Sequence, residues 1–209
     1  MPNDDFLAVL DFGSQYAHLI AKRIRHLGVY TEIFPPSIDT DSLEAAKGII
    51  LSGGPASVFA EDVPAFNPEI LNIPQPILGL CYGHQLMAQH FGGRVANTGQ
   101  GEFGKASLRQ LNPSPLWKDV ADSSQVWMSH QDSVTELPQG FQVIGETISG
   151  SLAALQHQER PLFSLQFHPE VTDTLAGIHI LSNFVELCKV HPSWSMERFI
   201  EQTKDELQQ

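Results

Sequence analysis

The sequence predicts an α/β protein in which a mainly parallel sheet is flanked by helices and extended by antiparallel strands. Three observations carry that expectation. Strand-like apolar runs alternate with helical stripes through the N-terminal half. Two of those runs, 48–51 and 77–80, are nearly all apolar, as strands covered on both faces must be. From 105 to 166 the rhythm changes to successive short strand patterns, separated by turn signals such as Leu137-Pro138-Gln139-Gly140.

Taken in order, residues 6–10 form an apolar run that ends in Asp11-Phe12-Gly13-Ser14, and Tyr16, Leu19, Ile20, Ile24 and Leu27 then recur at helical spacing. This is strand, turn, helix. Lys22, Arg23 and Arg25 read most simply as the solvated face of that helix. Residues 30–34, 48–51 and 77–80 supply the next strands, with helical patterns between or after them, clearest over 84–91. Ligands of such a sheet are expected beyond the carboxyl ends of its strands. Residues 105–111, 125–128, 141–147, 152–156 and 162–167 follow as strands, and 176–187 as a helix. Met196, Phe199, Ile200, Thr203 and Leu207 make an apolar stripe on a last amphipathic helix that Ser195 would cap. The expected division is therefore one domain over 1–192 and a C-terminal linker or docking helix over 193–209.

The chain has 209 residues, with 12 Lys and Arg against 24 Asp and Glu, a formal charge of −12. That balance offers no general attraction for nucleic-acid phosphates or anionic lipid headgroups. The longest uncharged run, 70–93, holds Pro74, Pro76, His84, Gln85, Gln89 and His90 and so makes a poor membrane span. The opening Met1-Pro2-Asn3-Asp4-Asp5 is acidic where a secretory signal is basic, which points to the cytoplasm. A reducing compartment leaves Cys81 and Cys188 available as thiols.

Chemistry concentrates in a few segments. Gly79-Leu80-Cys81-Tyr82-Gly83-His84-Gln85 follows a buried-type strand and opens a helix. The Gly-x-Cys-x-Gly pattern is the thiol counterpart of a nucleophile elbow, and N–H groups at a helix start stabilise an anion there. An ordinary buried cysteine is the simpler reading, and it suffices for Cys188. A nucleophilic cysteine needs a base with an orienting partner, and Phe167-His168-Pro169-Glu170 offers both. Pro169 keeps His168 extended, so that Glu170 emerges on the same side; taken alone the segment would more simply be a turn with two solvated polar residues. Gly48-Ile49-Ile50-Leu51-Ser52-Gly53-Gly54-Pro55 runs a strand into a glycine turn. Backbone N–H groups near Gly54 and Tyr82 are candidates to hold an oxyanion, against the plain alternative of a tight turn. The Ser-Gly-Gly-x-Asp-Ser loop of pyrophosphate-releasing ATPases is rejected, because Ala56 stands where it needs Asp. The loop after the first strand has one glycine, Gly13, too few for a dinucleotide cradle. Ser129-His130-Gln131-Asp132 reads as a polar loop able to hold an amino acid's charged end, and the nine histidines form no convincing metal cluster.

Together these segments resemble the triad type (class I) glutamine amidotransferases. The similarity runs from Leu10-Asp11-Phe12-Gly13-Ser14-Gln15-Tyr16 to the region of Trp194. Within the family, Ser52-Gly53-Gly54-Pro55 through Asp62-Val63-Pro64 and Met128-Ser129-His130-Gln131-Asp132-Ser133-Val134 are similar to the glutaminase domains of GMP synthetases. The resemblance implies a flavodoxin-like sheet and a glutaminase with Cys81 as nucleophile, His168 as base and Glu170 as its orienting carboxylate. It also implies an oxyanion hole at Gly54 and Tyr82, and substrate contacts from Gln85, Ser129, His130, Gln131 and Asp132. The residue between His130 and Asp132 is often glycine in the family, whereas here it is Gln131. No metal or cofactor is expected in this chain. L-glutamine is the implied substrate, and the implied partner is an ATP- and Mg-dependent synthetase domain or subunit that aminates xanthosine monophosphate (XMP). Other readings are the glutaminase of another class I amidotransferase, a γ-glutamyl hydrolase, or a non-catalytic regulatory module that kept the fold.

Overall fold

The computed structural model describes residues 5–54, 57–59, 63–192 and 194–195. Among them nine strands form one sheet: β1 (Phe6–Leu10), β2 (Tyr30–Phe34), β3 (Ala46–Leu51), β4 (Ile77–Leu80), β5 (Arg94–Gln110), β6 (Ser123–Glu136), β7 (Phe141–Thr147), β8 (Leu152–His157) and β9 (Leu162–Leu165). Three α-helices accompany them: α1 (Tyr16–His26), α2 (Tyr82–His90) and α3 (Gly177–Leu187).

The strand order is β2-β1-β3-β4-β9-β8-β7-β5-β6. Its first five members pair in parallel and the rest antiparallel. The parallel half therefore has the flavodoxin-like order, in which the chain reverses direction across the sheet between β1 and β3 and opens a crevice at the strands' carboxyl ends. β9 belongs to both halves, parallel to β4 and antiparallel to β8.

The apolar runs work as two-faced strands. Leu7 and Val9 join one buried cluster with α1 and α3, while Ala8 and Leu10 join the other with α2. Ile50 and Leu78 face the first cluster, Ile49, Leu51 and Ile77 the second. Alternation is thus hidden in the composition because both faces are covered.

Three expectations change. Among the described residues, the connections before β3 and β4 contain the short 3-10 turns Asp41–Leu43 and Pro68–Asn72 rather than α-helices. The antiparallel part begins at Arg94, not at residue 105, because β5 and β6 are a long hairpin whose polar stretches are held by backbone pairing rather than by apolar burial. Arg23 and Arg25 are half-buried, not solvated: Arg23 Nε donates to the Glu170 carbonyl at 2.8 Å and Arg25 Nη2 to the Thr31 carbonyl at 2.7 Å. The proposed terminal helix lies outside the described residues, although Trp194 N reaches the Gly28 carbonyl at 2.8 Å.

Candidate active site

Cys81 caps α2 directly after β4, with φ 50° and ψ −97°. Such a conformation in a residue with a Cβ costs about 1–3 kcal/mol and persists only where the surroundings enforce it. Here Cys81 N is tied to the Leu165 carbonyl at 2.8 Å, and the flanking glycines leave no room for any other path. A Cβ on Gly79 would lie 2.6 Å from the Gly83 carbonyl oxygen, and one on Gly83 would lie 2.7 Å from the Leu51 carbonyl oxygen. Neither glycine has a positive φ. They serve close packing of α2 on β3 and β4, and the turn itself is made by the cysteine.

His168 and Glu170 follow β9 and are both buried, with His168 Nδ1 2.8 Å from Glu170 Oε1. Their segment is stitched to its neighbours: His168 N donates to the Trp127 carbonyl at 3.1 Å and Thr174 Oγ1 to the His168 carbonyl at 2.7 Å. Trp127 N in turn donates to Thr174 Oγ1 at 2.9 Å. Cys81 and His168 meet at the glycine turn after β3. A Cβ placed on Gly53 would lie 3.2 Å from His168 Cε1 and 3.7 Å from Cys81 Cβ. Burial of the imidazole opposes its protonation, but the Cys81 thiol and the Glu170 carboxylate outweigh that and hold it well above its ordinary value. Among the described residues no group stands at full hydrogen-bond distance from His168 Nε2. The turn is fixed from the loop after β1, where Ser14 Oγ donates to the Gly53 carbonyl at 2.8 Å and Phe12 N to Ser52 Oγ at 3.2 Å.

A cavity of about 360 Å³ opens here, lined by Cys81, His168, Gly54, Tyr82, Gln85 and the 129–132 segment, among others. All the sequence-predicted site residues thus gather at it except Glu170, which stands behind His168. The cavity suits a small metabolite rather than a dinucleotide. Ser129-His130-Gln131-Asp132 lies inside β6 and is not a loop, because β5 pairs with it on both sides of an irregularity between Asn97 and Glu102. Gln131 opposes that irregular stretch, and its φ is not positive, so no glycine is required there. Asp132 is held twice: its carbonyl accepts from Gln85 Nε2 at 2.7 Å, and its carboxylate accepts the Ser57 hydroxyl.

Three residues with a part in this geometry were missed. The Tyr16 ring stacks on His168 with centroids 4.3 Å apart, yet in the sequence it is one more member of a helical stripe. Gln166 bridges Gln85 Nε2, at 3.2 Å to its Oε1, and Cys81 Sγ, at 3.8 Å from its Nε2. Ser57 lies within the 52–64 stretch that carries the resemblance, but no chemistry was read from it. By contrast, His84 turns out to be a core residue: its Nδ1 meets Ser164 Oγ at 2.9 Å, and burial with the nearby His130 pulls it down to about 3. Cys188 is buried against Gly48, and burial pushes its thiol up.

The raised His168 makes stability depend on pH. Its folded value exceeds the unfolded value of ~6.5, so its contribution is complete below that pH and is lost as pH rises through the folded value. Chemical denaturation of the wild type is expected to show falling stability above neutrality, with a shallower fall in Glu170→Gln. Equal slopes for the two proteins would contradict this assignment of charge.

A profile described as "Glutamine amidotransferase class-I" matches residues 8–188. The chain is 45% identical over 208 residues to GMP synthase [glutamine-hydrolyzing] of Rippkaea orientalis, covering 98% of this chain and 38% of that protein. It is 48% identical over 199 residues to the protein of the same name from Thermosynechococcus vestitus, covering 94% and 37%. It thus spans well under half the length of these relatives. Among solved structures, a Thermoplasma acidophilum protein to which the role of a GMP synthase subunit has been ascribed superposes with TM-score 0.78 at 30% identity, over 95% of this chain and 98% of that one. A glutamine amidotransferase from Thermotoga maritima, at 20% identity, shares the fold with TM-score 0.65 over 92% and 88%. With the elbow cysteine, the histidine and glutamate after β9 and the profile match agreeing over nearly its whole length, the chain belongs to the class I glutamine amidotransferases.

Proposed function

We propose that this chain is the glutaminase component of a GMP synthetase. The observation that carries the reading is the meeting of a strained elbow cysteine with a buried His168, backed by Glu170, at one small cavity. With its proton held on His168 Nε2, Cys81 Sγ attacks the side-chain carboxamide carbon of glutamine. The N–H groups of Gly54 and Tyr82 hold the oxyanion of the tetrahedral intermediate. As the C–N bond breaks, His168 protonates the departing nitrogen, which leaves as ammonia, and a γ-glutamyl thioester remains. Water then gives a proton to His168 and attacks the thioester carbonyl, and thiol and glutamate are released. Glu170 keeps the imidazole oriented throughout.

The substrate's amino acid end sits against Gln85 and the 129–132 segment of β6, where the Asp132 carboxylate attracts its ammonium. Ammonia passes to a synthetase domain or subunit that holds ATP and Mg and aminates XMP to GMP in the cytoplasm. Identity of 45% or more to proteins named GMP synthase supports that acceptor over anthranilate or a γ-glutamyl peptide. The likeness to a Thermoplasma acidophilum protein given the role of a GMP synthase subunit supports the same acceptor. No described helix is long and apolar enough to cross a membrane.

The test is exposure of the chain to an electrophilic glutamine analogue, a diazoketone, followed by peptide mapping. Modification of Cys81 and not of Cys188, with protection by excess glutamine, is the expected result. Addition of an XMP-aminating synthetase, ATP, Mg²⁺, XMP and glutamine should then yield GMP. Modification indifferent to glutamine, or no GMP from the reconstituted pair, would defeat the reading.

A further inference from the structure

Behind the cavity wall, His130 faces two acceptors. Its Nδ1 lies 2.9 Å from the Asp132 carbonyl oxygen and its Nε2 lies 3.2 Å from Glu102 Oε2. A neutral imidazole has one N–H, so one of its nitrogens would turn a lone pair on an oxygen that can only accept. The Ser133 hydroxyl stands at 3.5 Å from Nδ1, too far to compete with the carbonyl. The imidazole is 1% exposed, and water cannot relieve the conflict.

Glu102 is built to be the charged partner. It lies opposite His130 in the β5–β6 ladder, and its Oε1 accepts from the hydroxyls of Thr147, at 3.1 Å, and Ser149. Burial raises the carboxyl, but the hydroxyls of Ser149, Ser151 and Thr147 and the charge on His130 outweigh it and hold Glu102 below its ordinary value. Burial and the nearby His168 hold His130 below its ordinary value, and the Asp132 carbonyl and Glu102 carboxylate oppose them; two acceptors at hydrogen-bond distance from the two ring nitrogens argue for the second proton nonetheless. A single proton on the Nε2–Oε2 edge satisfies every atom and leaves the pair neutral as a unit, which is what burial tolerates.

We propose that Glu102 is a positioning residue for the substrate: by keeping a proton on His130 Nε2 it locks the imidazole that, with Gln85, grips the Asp132 carbonyl and so holds β6 in shape at the cavity. The inference rests on the glutaminase reading. His130 Nδ1 and Gln85 Nε2, the latter at 2.7 Å, both donate to that carbonyl. The same strand presents the Ser129 carbonyl to Cys81 Sγ at 3.7 Å and the Asp132 carboxylate to the cavity. The titratable groups around His130 are Glu102 of β5, Asp132 of β6, His84 of α2 and His168 after β9. Of these only Glu102 can balance a proton on Nε2.

Glu102→Gln keeps the shape and an acceptor but removes the charge. The readout is alkylation of Cys81 by chloroacetamide, a neutral probe with no amino acid end, with glutamine added as protectant. In the variant the glutamine concentration giving half-protection should rise about tenfold or more, the scale of losing a charge-assisted hydrogen bond. Alkylation without glutamine should keep its wild-type rate. Equal protection of both proteins, or alkylation slowed in step with lost protection, would overturn the proposal. Absence of glutamine protection in the wild type would instead defeat the glutaminase reading, and the proposal with it. Nitrogen-15 NMR of the wild-type histidines needs no variant and no substrate: both ring nitrogens of His130 should carry protons at neutral pH, and a single protonated nitrogen would overturn the assignment.

Discussion

Cys81→Ala should lower glutamine hydrolysis by about a thousandfold or more, the scale seen when a covalent nucleophile is removed from a triad. Synthesis from added ammonia by a partner synthetase should continue, because ammonia bypasses the thioester. Cys188→Ala should leave hydrolysis unchanged, since that thiol is buried against Gly48 within β3 and not at the Gly53 turn after it, where Cys81 and His168 meet. Stability separates the two further. Alanine at position 81 keeps a Cβ at φ 50°, so the strain remains and the denaturation midpoint should barely move. Cys81→Gly releases strain of about 1–3 kcal/mol while losing roughly 0.5–1 kcal/mol to chain entropy. The glycine variant should therefore be inactive and more stable than the parent. Retained glutamine hydrolysis in either variant would remove Cys81 from the mechanism.

That opposition between activity and stability explains which parts of the molecule were legible in the sequence. Strands β1, β2 and β4 and helix α1 were read to within a residue or so, because composition and spacing report burial on one face or two. The elbow and the His168–Glu170 pair were legible for another reason, since each occupies a short contiguous motif. What sequence order conceals is partnership at long range. Arg23 looked solvated because helical spacing puts it away from the apolar stripe, yet a carbonyl 147 positions along the chain lies within reach of its Nε. Glu102 and Gln166 were passed over because their partners lie far along the chain, on strand β6 for Glu102 and at the start of α2 for Gln166. The 129–132 segment looked like a loop because its side chains are polar. The segment lines a cavity and buries polar pairs such as His130 with Glu102, and neither leaves an apolar alternation to read.

Gly177→Ala tests the same point where the sequence is silent. An alanine near the start of a helix should help by up to about 1 kcal/mol, because glycine is the poorer helix former. The position does not require glycine's conformational range either, as its φ is not positive. Space decides the sign. A Cβ there would lie 2.0 Å from the Pro169 carbonyl oxygen and 3.2 Å from its Cα, and both are backbone atoms with no rotamer to yield. Either α3 retreats, opening its packing through Ile180, Leu181 and Phe184 onto the sheet, or the His168-Pro169-Glu170 turn moves. The first costs stability, at the ~1–3 kcal/mol typical of overpacking. The second displaces the imidazole from Cys81, and misplacement by about 1 Å is worth roughly a hundredfold in rate. The turn is held by a few hydrogen bonds, to Trp127, Thr174 and Arg23, whereas α3 is held by a buried apolar face, so the turn should give way first. Gly177→Ala is thus expected to fold with a modestly lowered midpoint and to lose about two orders of magnitude in glutamine hydrolysis, mostly in kcat. Exposed Ile178→Ala, one residue along the same helix, should change neither. Full activity in the glycine variant would mean that α3 moves instead, and that the base is held more firmly than its hydrogen bonds indicate.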